Sequence, residues 1–218
     1  MFRLISIIAF IVTLVGIALC CVACPCKGCG WRPSQVLRRL VRLFTLLLVE
    51  QRLSPLGVIR KLIYLLALLC FVVLAVTSFF PVLVQGKPIH GYWLMLHATF
   101  APVFAVCLAV LAVISARHFR FSRGDWPWLQ RIIERVTLTK NSSEEDISDG
   151  VGIVQKIAFW LIVALSLPLI LSIISSMFPL LGTHWQEFVL NVHRYTALAF
   201  AVVVIIHTYL MIRVKMKE

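Results

Sequence analysis

Four stretches of this chain, about 62–84, 92–116, 157–181 and 189–212, run almost without charge. Each exceeds the roughly 20 residues that a helix needs to cross about 30 Å of hydrocarbon. Composition agrees, with 61% of residues apolar, 14% charged and a mean hydropathy of +0.98. A soluble domain runs nearer half apolar and a quarter charged, so an ordinary cytoplasmic enzyme is excluded, and so is disorder. The net charge of +12 over 218 residues would suggest nucleic acid in a soluble protein. In a membrane protein it reports which side the loops occupy, and no nucleic-acid partner is expected.

A fifth apolar stretch, Leu4 to Val22, has Arg3 before it and no charge inside. It reads as a retained span rather than as the core of a signal peptide, because no A-x-A-like cleavage site follows Leu19 and a cysteine cluster comes instead. Between Cys24 and Pro55, Arg38, Arg39, Arg42 and Arg52 stand among Val36, Leu37, Leu40, Val41, Leu43, Phe44, Leu47 and Leu48. That pattern fits a helix lying in the interface, and equally a helix packed on a partner subunit.

Placing 23–61, 117–156 and the tail after Met211 in the cytoplasm puts all 21 basic residues there except Arg3, Lys87 and Arg194. This is the bias of the positive-inside rule, so the loops 85–91 and 182–188 are expected to face outward. The second and fourth of the four core spans then both run inward. The acidic run Glu144, Glu145, Asp146 and Asp149 reads as solvated loop. The expected fold is an all-α integral membrane protein: a four-helix transmembrane bundle at 58–218, preceded at 1–57 by an extra N-terminal transmembrane helix, a cysteine-rich segment and an interfacial amphipathic helix.

Ionisable side chains inside a span are costly, so each is a functional candidate. His97, His193 and His207 qualify. His193 and His207 are 14 residues apart on the fourth core helix. At 100° and 1.5 Å per residue they share a face, about 40° out of register and about 21 Å apart along the axis. That spacing suits two haems stacked across the bilayer. An axial pair must reach one iron from two helices at similar depth, and His97 and His193 both lie a short way inside inward-running helices. They are the expected ligands of an outer haem b, the alternative being a polar pair hydrogen-bonded between helices. His207 finds no histidine at its own depth. His118 is seven residues too far along its helix and reads as an interfacial cation beside Arg117 and Arg120.

Several fragments then resemble one known family. They are Leu69-Cys70-Phe71-Val72-Val73-Leu74-Ala75-Val76-Thr77 on the first core helix, Leu96-His97 on the second, Gln155-Lys156 with Phe159-Trp160 before the third, and His193 with His207-Thr208-Tyr209-Leu210-Met211 on the fourth. Their order and spacing over about 58–216 resemble the di-haem cytochrome b (gamma) subunit of membrane-bound formate dehydrogenases and related respiratory oxidoreductases. The resemblance implies His97 and His193 as outer-haem ligands, and His207 with a first-helix histidine as inner-haem ligands. Tyr64 stands at that first-helix position, and Gly152 stands where the family has an Asn beside its quinone site. An inner haem would therefore be lost, altered or completed from elsewhere, and quinone binding shares that condition.

Arg194 follows His193 and either meets a haem propionate or snorkels to the interface. Tyr92, Trp93, Trp185 and Tyr195 read as an outer aromatic belt. Of the seven cysteines, Cys21, Cys24, Cys26 and Cys29 form two C-x-x-C pairs, which could hold zinc or an iron–sulfur cluster, could be acylated together with Cys20, or could be inert. Cys70 and Cys107 read as packing residues.

The expectation drawn from all this is a cytochrome b that anchors a respiratory oxidoreductase in the bacterial inner membrane. It would carry haem b, one or two per chain, and contact lipid, an outward iron–sulfur or multihaem cytochrome subunit, and a quinone or an inner-side acceptor. The alternative from another class is a haem-free structural anchor. A transporter fits less well, since the spans hold few charges and no repeat is visible.

Overall fold

The computed structural model describes residues 1–23, 55–121, 144–177 and 182–215. The described residues are helical and contain no strand. In chain order the elements are α1 (Phe2–Ala23), α2 (Pro55–Phe80), a π-helical turn (Pro81–Gln85), α3 (Gly91–Ala116), α4 (Glu144–Met177) and α5 (Gly182–Lys215). Among the described residues five helices are long and apolar enough to cross a membrane, over Phe2–Cys20, Gly57–Gln85, Gly91–Ala116, Gly152–Ser176 and His184–Met211. The protein is therefore an all-helical membrane protein, with the extra N-terminal span expected from its sequence.

Two boundaries fall elsewhere than hydropathy places them. The acidic run 144–149 is the first part of α4 rather than loop, and 182–188 is the start of α5 rather than an outward connection. Hydropathy marks the part of a helix that meets lipid, but backbone hydrogen bonding continues into water. Starting α5 at Gly182 also means that counting residues from a helix start no longer matches the depths of His97 and His193. The segment expected to form an interfacial helix lies outside the described residues.

The chain divides into two compact units, Met1–Thr13 with Ser115–Glu218, and Leu14–Ile114. In the second, α2 and α3 form an antiparallel hairpin. Phe80 meets Trp93 with ring centroids 5.6 Å apart, Thr77 meets His97, and Phe71 meets Phe104 at 6.2 Å, so each step back along α2 is a step forward along α3. Ala67, Cys70, Thr77, Pro81, Phe104 and Cys107 are buried. Pro81 has no N–H to return to the Thr77 carbonyl, which ends the α-helical ladder and opens the π turn. Gly86, at φ 67°, closes that turn by donating its N–H to the Pro81 carbonyl, a backbone conformation that residues with a Cβ seldom adopt.

In the first unit α4 and α5 form a second antiparallel pair. Ser172 meets His193 near one end, and the Gln155 amide donates to the Met211 sulfur near the other. Phe159, Ile162, Leu198, Phe200, Ala201 and Leu210 are buried. At the start of α1 the Phe2 ring packs edge-on against Tyr195, centroids 5.3 Å apart. Hydroxyls within the spans return their protons to their own helices: Ser6 to the Phe2 carbonyl, Thr13 to Ala9, Ser78 to Leu74, Thr208 to Val204. In lipid a hydroxyl has no water to turn to, so this back-bonding lets polar residues sit in a span.

Candidate functional site

His97 lies in the first third of α3, part-buried, and its Nδ1 is 3.0 Å from the Thr77 hydroxyl of α2. Thr77 is 1% exposed, and its hydroxyl sits 2.8 Å from the Val73 carbonyl and 3.1 Å from that of Leu74. A hydroxyl has one proton. With that proton given to its own helix, the Thr77 oxygen accepts from His97, which places the imidazole proton on Nδ1 and the lone pair on Nε2.

His193 repeats the arrangement on α5. Its Nδ1 is 3.1 Å from the Leu169 carbonyl and 3.2 Å from the Ser172 hydroxyl, both on α4. Ser172 is itself buried and donates to the same Leu169 carbonyl at 2.9 Å. A carbonyl only accepts, so here too Nδ1 bears the proton and Nε2 the lone pair. Histidines that bind a metal through one nitrogen commonly hold the other against a carbonyl or a similar acceptor, which fixes both tautomer and ring orientation.

His207, further along the same helix, differs. Its ring reaches the backbone of Gln155, but its Nδ1 is buried with no hydrogen-bond partner. The Phe119 ring stands edge-on to it at 6.0 Å. Phe119 is buried, stacks on Phe159 at 4.5 Å and accepts a bond from the Trp160 indole at its carbonyl, 3.0 Å away. The exposed His118 packs edge-on against the same Phe119 ring, at 5.1 Å.

Tyr64 sits on α2 with 38% of its surface exposed. Arg194 is exposed, and its guanidinium reaches the Asn191 side chain one turn earlier at 3.5 Å. A Cβ added at Gly152 would meet nothing within 4 Å. Cys24, Cys26 and Cys29, and the side chain of Cys21, lie outside the described residues. Among the described residues no group of three or more His, Cys, Asp or Glu could hold a metal ion.

Sequence reasoning found the histidines and missed what holds them. Thr77 and Ser172 are hydroxyls in otherwise apolar spans, and each lies near the turn-side end of the helix preceding its histidine. That placement was the available signal. Phe119 follows Arg117 and His118 and carried none.

A family model for prokaryotic cytochrome b561 matches residues 61–217, which takes in α3, α4, α5 and most of α2. The chain belongs to the prokaryotic cytochrome b561 family. No curated protein and no solved structure matches it. The family binds haem b in membranes, and His97, His193 and His207 of this cytochrome b561 chain are imidazoles within its spans, a donor type that holds haem iron. His193 holds its Nδ1 against a carbonyl, which only accepts, and His97 holds its Nδ1 beside the Thr77 hydroxyl.

Proposed function

We propose that the protein is a membrane-anchoring cytochrome b subunit, resembling the formate dehydrogenase gamma type, that passes electrons between an outward-facing redox partner and the membrane. His97 and His193 are the axial ligands of its haem b. The observation that supports this best is the anchoring of both rings: at each, Nδ1 lies within hydrogen-bond distance of an oxygen on the preceding helix. On the positive-inside orientation both belong to the outward halves of inward-running helices.

Haem b supplies a one-electron ferric–ferrous couple. The chain's own residues do the rest. Thr77 and the Leu169–Ser172 pair aim the two rings and raise their basicity as donors, and the apolar spans keep water from the ligating nitrogens. Arg194, next to His193 and exposed toward the outer end of α5, is placed to meet a propionate with a charge-assisted bond. The outward partner is an iron–sulfur or multihaem cytochrome subunit, and the bacterial inner membrane is the setting.

A second reading has one observation in its favour. The Thr77–His97 and Ser172–His193 bonds join helices, which is what histidines in a haem-free structural anchor would do. Reduced-minus-oxidised spectra of the purified full-length chain separate the two. Paired α and Soret bands that disappear in His97→Ala and in His193→Ala support the cytochrome. A chain purified in good yield without those bands leaves the anchor.

A further inference from the structure

We infer that the cytoplasmic end of α4 holds an anionic phospholipid, with an acyl chain along one exposed face of the helix and the phosphate among Arg117, Arg120 and Lys156. The site uses none of the proposed haem ligands. All of its residues belong to the unit that contains α4 and α5.

The apolar half of the site is a stripe on α4. Trp160, Ala164, Leu167 and Leu171 are exposed and follow one another at four, three and four residues, so they share one face of the helix. At 1.5 Å per residue the stripe is about 16 Å long, which matches the half-thickness of a hydrocarbon core of about 30 Å and so the depth that one acyl chain fills. Ala158, Ile162 and Ser166 are buried, so the stripe is not the face that α4 turns to its neighbours. Lys156 continues the stripe one turn beyond Trp160, toward the start of α4, which is its cytoplasmic end on the positive-inside orientation.

The polar half comes from the chain just after α3. The Trp160 indole donates to the Phe119 carbonyl at 3.0 Å, and the buried Phe119 ring stacks on Phe159 at 4.5 Å. These contacts fasten the turn 117–120 beside the head of the stripe. His118 packs edge-on against the same Phe119 ring at 5.1 Å, and Arg117, His118 and Arg120 are all exposed. Residues 115–121 and 152–161 contain no Asp or Glu, so neither segment supplies a carboxylate to neutralise these cations. Two guanidinium forks at the edge of the hydrocarbon complement a phosphodiester, whose oxygens they can pair in parallel. The stripe running inward from them favours a lipid over free phosphate, and the cytoplasmic leaflet is where juxtamembrane basic clusters meet anionic lipid.

The test uses the full chain, purified in detergent, stripped of lipid and offered phosphatidylglycerol or phosphatidylcholine, with bound lipid counted by native mass spectrometry. One phosphatidylglycerol is expected to be retained in preference to phosphatidylcholine. Arg117→Gln with Arg120→Gln should weaken its retention about 25-fold, at about fivefold per cation, and the two lysine replacements at the same positions should recover most of the loss. Arg60→Gln with Lys61→Gln removes the same charge from α2 and should leave retention unchanged. Trp160→Phe keeps an aromatic ring but loses the bond to Phe119, and should weaken retention several-fold without altering helical circular dichroism. Equal retention of the two lipids, an equal loss in the α2 pair, or displacement of the lipid by millimolar inorganic phosphate overturns the inference. The haem reading is tested at His97 and His193 and stands or falls separately.

Discussion

The two histidines of α5 sit on one continuous helix, share a face and differ in almost everything around them. His193 is met by the Leu169 carbonyl and the Ser172 hydroxyl of α4, whereas His207 is met by the Phe119 ring and the backbone of Gln155. Residue type and helical position are thus nearly equal, and the opposing surface decides what each imidazole can do. A ring whose Nδ1 proton is committed offers a directed lone pair at Nε2. The His207 ring stands edge-on to Phe119 and reaches the Gln155 backbone, and its buried Nδ1 carries an energetic penalty as long as nothing binds it.

The comparison breaks most visibly at the ligand itself. His193→Ala is expected to abolish the haem absorption of the purified protein, while His207→Ala leaves it in place; equal loss in both would erase the difference drawn here. Next comes the support for the rings. Thr77→Val removes the hydroxyl that anchors His97, and haem retention against an apoprotein competitor should weaken about 10- to 100-fold, the usual range for a group one step behind a ligand. Ser172→Ala should fall at or below the lower end of that range, because the Leu169 carbonyl still receives the His193 proton. If Ser172→Ala proves the more damaging of the two, the hydroxyl rather than the carbonyl orients that ring.

The smallest effect is the most specific to the inner level. His207→Leu replaces the imidazole by an apolar side chain of similar volume and removes a buried nitrogen without a partner. It also removes the ring's contact with the Gln155 backbone, so the two effects oppose each other and resistance to unfolding in detergent should change by less than about 1 kcal/mol. A loss of more than that would show that the Gln155 contact outweighs the unpaired nitrogen.

Much of the fold could be read directly. Spans of about 20 apolar residues have few alternatives in a bilayer, and α1 to α5 appear where hydropathy places them. The ends were less legible, since Glu144 to Asp149 and the residues before Phe188 continue helices past the lipid. Charge marks where lipid stops rather than where hydrogen bonding does. At the site, the histidines stood out as ionisable groups in apolar runs. Thr77, Ser172 and Phe119 became meaningful only through the pairing of α2 with α3, the pairing of α4 with α5, and the fold of the chain just after α3. A single sequence contains the faces of its helices but not the register between them.

The edge-on contact of Phe2 with Tyr195 has a consequence for chemistry at the far end of α1. On the proposed positive-inside orientation Tyr195 stands at the outward level, and from there an apolar helix finds lipid by running inward. In that orientation the exposed Cys20 would emerge on the cytoplasmic side, where thiol reductants keep a thiol free instead of locked into a disulfide.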